Sequence, residues 1–266
     1  MSAHDNGVPE TDAVRGIRRK IAHAQEQLEF LEVDIQRFWD RQSIVLVGDF
    51  DPASLKVTVR LRIIEPMPVE WPIILGEVVH NLRSALDHCV YQLTISHSGK
   101  PLKMSGFPIL LDKAAFFMCG KSNGLSERSG LYQIRGVSPV AQTFIEGLQP
   151  YNHGDRKSVL WNLHRAWNQD KHRLINLMAA VPKSASVTVD PPVDHALKMF
   201  AGPKEDGAVV AEVTFVPGGP IVEVGGEITF QVVDKDGWDT DSPATVTYET
   251  LLGEVSLTVG KLLLML

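Results

Sequence analysis

Between Val14 and Phe38 the apolar residues fall at Val14, Ile17, Ile21, Ala24, Leu28, Leu31, Ile35 and Phe38, spaced alternately three and four positions apart. A repeat of about 3.5 residues marks a long helix that lays a narrow seam against another helix. The spacing therefore predicts such a helix, its seam closed within the chain or by a second copy in a homodimer. The period then changes. In LKVTVRLRI, Leu55, Val57, Val59, Leu61 and Ile63 alternate with Lys56, Thr58, Arg60 and Arg62, which predicts a strand with one buried face. With SIVLVGDFDPAS before it, the segment reads as a hairpin over about 43–64, turning at Asp51 and Pro52.

A second helical period runs from about Pro72 to Ser96. At about 100° per residue, Leu75, Val79, Leu82, Leu86, Val90 and Leu93 share one stripe, and Pro72 is tolerated in a first turn. From Gly99 to Gly136 no period holds, and one short helix near Lys113 to Met118 is expected. Helical spacing returns at Pro139 to Leu148 and at about Asp155 to Met178, where Leu160, Leu163, Trp167 and Leu174 form the core stripe. After Pro182 the segments SASVTVD, AVVAEVTFV, IVEVGGEITFQVV and TVTYE read as strands separated by proline and glycine turns. The closing LLGEVSLTVGKLLLML is apolar but interrupted by Glu254, Gly260 and Lys261, and is shorter than the roughly 20 residues of a spanning helix. It reads as a docked segment or a subunit contact.

The predicted fold class is α+β: a helical bundle with a long N-terminal helix, packed with an antiparallel sheet from the early hairpin and the C-terminal strands. The helical part covers about 11–178 and the β-rich part about 183–248. Because the hairpin is expected to pair with the late strands, 11–266 is expected as one composite domain following a polar arm at 1–10.

Composition narrows the classes of function. With 44% apolar and 22% charged residues the chain is of ordinary globular make-up, and its net charge of −6 argues against a surface coated for general nucleic-acid or membrane binding. A local basic patch is compatible with that balance. Only Cys89 and Cys119 are present, Cys89 inside a helical segment, so no disulfide framework is expected. The opening MSAHDNGVPE lacks the basic start and apolar run of a signal peptide, and a cytoplasmic setting is expected. There is no Walker loop, no G-x-G-x-x-G after a strand, no G-x-S-x-G elbow and no paired C-x-x-C, and no cofactor is expected. Trp238, in the acidic DKDGWDTD, is a lone aromatic suited to a partner contact or to covering a sheet edge.

The candidate chemistry lies in HNLRSALDH, residues 80–88. Opposite the apolar stripe stand Glu77, His80, Asn81, Ser84 and His88, with Arg83 and Asp87 as an i, i+4 pair on one flank. Solvated faces are usually built from Lys and Glu, whereas these residue types suit directional hydrogen bonds. HRAWNQDKHR repeats the device, with His164, Asn168 and His172 matching the spacing of His80, Ser84 and His88. Asp170 falls beside the apolar stripe of that helix, where a carboxylate needs a partner, and Arg83 or His80 across the helix pair is expected to supply it. The two rows are expected to face one another.

Three uses of such a seam are open. In the first, His80, Asn81, Arg83, Asp87, Asp170 and His172 form a structural hydrogen-bond network in a non-catalytic binding or assembly module. In the second, Glu77 and His80 begin a metal site by Glu-x-x-His spacing, although no second copy exists. His80 and His88 are about 12 Å apart along a helix and cannot share one ion. The third rests on a resemblance. Arg83, four residues, then His88 resembles the arginine–histidine motif of the higher eukaryotes and prokaryotes nucleotide-binding (HEPN) superfamily. That resemblance implies a metal-independent ribonuclease in which Arg83 stabilises phosphate charge and His88 moves a proton. It also implies RNA or a nucleotide as partner and a composite site in a homodimer, for which the 14–38 seam would serve. Arg156, Lys157, Arg165, Lys171 and Arg173 against Asp155 and Asp170 make a local positive excess that suits phosphates. His80, Asn81, Ser84, Asp87, Asn168, Asp170, Lys171 and His172 are the binding or supporting residues. The pairing of NLRSALDH with NQDKHR also resembles one in a family of uncharacterised bacterial proteins, a resemblance that implies no function.

Overall fold

The computed structural model describes residues 11–120, 124–154, 158–190, 194–200, 205–216, 223–237 and 242–266. The arm at 1–10, Asp155, Arg156, Lys157 and Trp238 lie outside them. In chain order the elements are α1 (Asp12–Asp40), β1 (Ile44–Asp51), β2 (Lys56–Ile63), α2 (Glu70–Ser98), α3 (Lys113–Phe116), α4 (Gly130–Gln133) and α5 (Pro139–Gly147). A 3-10 turn at Pro150–Asn152 precedes α6 (Val159–Asp170), β3 (Leu177–Asp190), β4 (His195–Met199), β5 (Val209–Phe215), β6 (Glu223–Asp234) and α7 (Ala244–Leu263). The class is α+β. The chain divides into two compact units, each drawn from separated segments: Met1–Phe30, Pro72–Ile175 and Thr245–Leu266 in one, Leu31–Trp71 and Asn176–Ala244 in the other.

The first unit is helical. Thr11 caps α1 by accepting the Val14 N–H at 3.2 Å. Of the seam residues in this unit, Val14, Ile17, Ala24 and Leu28 are buried and Ile21 is half-buried. The predicted stripe of α2 is buried throughout, and Val78, Ala85 and Cys89 widen the buried arc, which makes α2 the central helix of this unit. Gln149, itself fully buried, ties down the irregular stretch before α5. Its Nε2 donates to the carbonyls of Pro108 and Ile145 at 2.9 and 3.0 Å, and its Oε1 accepts the Leu110 N–H at 3.1 Å. The chain end docks, with Ser96 Oγ donating to the Leu266 carbonyl at 3.1 Å. Among the described residues no helix is long and apolar enough to cross a membrane.

Three expectations are corrected, and two short elements are added. TVTYE is not a strand but the first turns of α7, because Ala244, Tyr248, Leu251, Val255, Val259 and Leu262 are buried at helical spacing. The helix expected to reach Met178 ends at Asp170: Ile175 is buried, Asn176 exposed and Leu177 buried, a period of two that leads into β3. Leu174, placed in the core by extending the helical stripe, is consequently 54% exposed. The short α4 and β4 carry too few residues to show a period, and both were unforeseen.

The second unit holds the sheets. β1 and β2 form the hairpin, Ile44 opposite Ile63 and Asp51 opposite Lys56, and Asp51 closes its turn by accepting from the Ala53 N–H at 2.9 Å and Ser54 Oγ at 2.6 Å. β2 pairs with β5 and β5 with β4, giving an antiparallel sheet in the order β1-β2-β5-β4, so the early hairpin does join late strands. β3 and β6 form a separate two-stranded ribbon. Leu61 and Val210 are buried among Ile44, Leu46, Val59, Ile63, Ile228 and Phe230, which places side chains of β6 against that sheet. Trp71 is buried edge-on to Phe38, with its indole N–H donated to Asp34 Oδ2 at 2.8 Å.

Candidate functional site

The site is built where α2 meets α6. The Asp170 carboxylate lies against Gly76, so close that an alanine Cβ at that position would stand 2.7 Å from Asp170 Cγ. One turn earlier on α6, the Trp167 ring faces Arg83, whose guanidinium carbon is 5.2 Å from the ring centroid. Numbers fall along α6 as they rise along α2, so the helices run antiparallel, with Gly76 against Asp170 and Arg83 against Trp167.

Two clusters result. In the first, Arg83 is 8% exposed, and its Nη2 donates to Asp87 Oδ1 at 3.0 Å and to the Phe107 carbonyl. Asp87 Oδ1 also accepts the Phe107 N–H at 2.8 Å, so the i, i+4 pair fastens the loop before α3 onto α2. Arg83 Nε and Nη1 are buried without a hydrogen-bond partner among the described residues. Desolvation pulls the Arg83 pKa below its ordinary value, against the pull of Asp87. Lys171 Nζ sits 2.9 Å from the Trp167 centroid, and its pKa is lowered by desolvation and by Arg83. His164, hydrogen-bonded to Asn168 Nδ2 at 2.9 Å, is pushed down to about 4 by burial and by the charges of Arg83 and Lys171. This cluster sets the buried Arg83 and the exposed Lys171 against Trp167 with one carboxylate, Asp87, and Asp170 is not part of it.

The second cluster lines an open cleft of about 420 Å3, formed by His23 of α1, Ile73, Gly76, Glu77, His80 and Asn81 of α2, and Asp170 and Leu174. Gln27 braces its α1 side, donating from Nε2 to Glu77 Oε2 and accepting from Asn81 Nδ2 at 3.3 Å. Asp170 is half-buried and accepts no hydrogen bond among the described residues. Burial raises its pKa and the neighbouring His80 lowers it. Of the two partners expected for Asp170, His80 is the one beside it, and Arg83 is taken by Asp87.

The remaining candidates fall elsewhere. His88 is exposed, with its pKa lowered by partial desolvation and by the charge of Lys20 on α1. Five residues of unbroken helix turn Arg83 and His88 about 140° apart, and no contact joins them among the described residues. Ser84 is half-buried and His172 exposed; neither side chain makes a hydrogen bond among the described residues. No group of three or more His, Cys, Asp or Glu side chains could hold a metal ion among the described residues, so Glu77 and His80 gain no further ligands. Sequence reasoning missed Gly76 and His23. A glycine inside a helix costs about 1 kcal/mol relative to alanine, and that unfavourable choice was the available signal for a close approach at Gly76. His23 carried no signal, because its position depends on how α1 packs. Comparison with protein families, with curated proteins and with solved structures returns no match, so the site is argued from its own geometry.

Proposed function

We propose that the protein is a non-catalytic ligand-binding module whose site is the cleft lined by His23, Glu77, His80, Asn81 and Asp170. Asp170 is the observation that carries this reading. A network built only to fix helix packing satisfies its members, since an unpaired buried polar group is costly. Here a half-buried carboxylate without a hydrogen-bond partner stands at the wall of a cleft of about 420 Å3, within the range of small-molecule sites. The mid-helix Gly76 is what lets it stand there. Protein-observed NMR with a panel of small polar fragments is expected to give saturable shifts centred on His80 and Asn81. A panel that leaves those resonances unmoved refutes the reading.

A second reading, phosphate binding by the Arg83 cluster, draws support from the unpartnered Nε and Nη1 beside Lys171. In its ribonuclease form it requires Arg83 and His88 to act together. It is tested by incubating mixed RNA with the protein in chelator.

A further inference from the structure

We infer that the cleft takes a ligand with a primary ammonium group on a small apolar body, Asp170 and Glu77 receiving the charge while Ile73 and Leu174 cover the body. The inference rests on the ligand-binding reading above and names its substrate class.

Charge selects a cation. Two carboxylates line the cleft and neither Lys nor Arg does. Ionised carboxylates only accept hydrogen bonds, the imidazole N–H groups of His23 and His80 are the ring donors at the cleft, and an anionic group would meet two like charges. One of these carboxylates, Asp170, has no hydrogen-bond partner among the described residues, and Glu77 is engaged only by the neutral amide of Gln27. Asn81 uses an amide N–H on Gln27, and its side-chain carbonyl oxygen accepts no hydrogen bond among the described residues. An ammonium group, with three N–H donors, fits that set of acceptors.

The ligand is larger than an ion. No three ligating side chains converge among the described residues, which removes the bare metal ion as the cation. An ammonium ion alone would leave most of about 420 Å3 unfilled. Two large apolar side chains stand at the same cleft with much of their surface in water, Ile73 at 46% and Leu174 at 54% exposed. Apolar walls beside a few convergent polar groups are the usual make-up of small-molecule sites. Leu174 comes to this position because the chain leaves the helix after Asp170.

The test uses the full chain and three shape-matched probes: benzylamine, which is cationic at neutral pH, benzyl alcohol and benzoate. Calorimetry with NMR is expected to show saturable benzylammonium binding that moves His80 and Asn81, about tenfold or more tighter than benzyl alcohol, with no benzoate binding. Asp170→Asn is expected to weaken the amine about tenfold, and Glu77→Gln, at an exposed side chain, serves as a second variant should Asp170→Asn misfold. Benzyl alcohol binding as tightly as the amine, or both variants leaving the amine's affinity unchanged, overturns the ammonium inference. In those cases shifts at His80 and Asn81 keep the binding reading alive. No amine binding at all also overturns the inference, and the fragment panel then decides the binding reading separately.

Discussion

Replacing Gly76 with alanine sets helix propensity against the seat of Asp170. Position 76 lies inside a 29-residue helix, where alanine is favoured over glycine by about 1 kcal/mol. The new Cβ would stand 2.7 Å from Asp170 Cγ, inside contact distance, so the carboxylate has to swing away. That movement breaks no hydrogen bond among the described residues. It gives up the attraction to His80, a partly exposed pair worth about 0–1 kcal/mol, and rotamer strain adds about 0.5–1.5 kcal/mol if the new position is off a staggered minimum. These effects nearly cancel, and Gly76→Ala should unfold in urea within about 1 kcal/mol of the wild type while losing benzylammonium binding. Gly136→Ala is the control. Its Cβ would meet Thr94 Cγ2 at 2.5 Å and Leu102 Cδ1 at 2.7 Å, against a fully buried Thr94, and overpacking there should cost about 1–3 kcal/mol. A Gly76→Ala loss beyond about 2 kcal/mol would refute the reasoning, because Asp170 would then be locked by its surroundings.

Stability should fall between pH 6.5 and pH 4 through His164. Its folded value near 4 lies below the ordinary 6.5, so in that window the unfolded chain takes up a proton that the folded chain refuses. Linkage sets at most about 3 kcal/mol, reduced to about 1–2 kcal/mol by solvent at a partly exposed ring. Thermal melts across this range should flatten in His164→Gln; an unchanged slope in that variant contradicts the assignment. Asp87→Ala should destabilise more than Arg83→Met in urea unfolding. The first strands a buried guanidinium, a loss of about 3–5 kcal/mol, whereas the second also removes two nitrogens that have no partner among the described residues and should cost less than about 2 kcal/mol. The reverse order would mean that Arg83 is compensated by something other than Asp87. Wild type and His88→Ala should leave mixed RNA equally intact in chelator, and cleavage that disappears in the variant would favour the ribonuclease reading instead.

Much of the fold was readable because its longest elements repeat one period over many turns. The seam of α1, the stripe of α2 and the alternation of β2 each offered five or more residues at constant spacing, enough to fix both the element and its buried face. The errors arose where two periods overlap. TVTYE alternates like a strand, yet Ala244, Tyr248 and Leu251 carry the helical spacing that tertiary packing selects in α7. LINLM can continue a helix or begin a strand, and burial of Ile175 and Leu177 around exposed Asn176 shows which occurs. Residue preference is too weak to separate such cases, because burial of a whole face outweighs it.

The site was half legible for a related reason. Two rows of hydrogen-bonding residues on two helices suggested a polar seam, but which residue would meet which depended on the antiparallel offset of α2 and α6. That offset sets Asp170 at Gly76 and Trp167 at Arg83. It also bears on what the arginine–histidine spacing can mean here. Gly76, His80, Arg83 and Asp87 succeed one another by four, three and four residues and share the face turned to α6. His88, one residue further, is carried about 100° past Asp87 and faces α1. Arg83 and His88 therefore leave one continuous helix, Glu70 to Ser98, in directions about 140° apart. The arginine spends its Nη2 on Asp87 and on the loop at Phe107. The groups left open to a ligand are those one and two turns toward the start of α2, where a glycine admits a carboxylate and leaves it without a hydrogen-bond partner among the described residues.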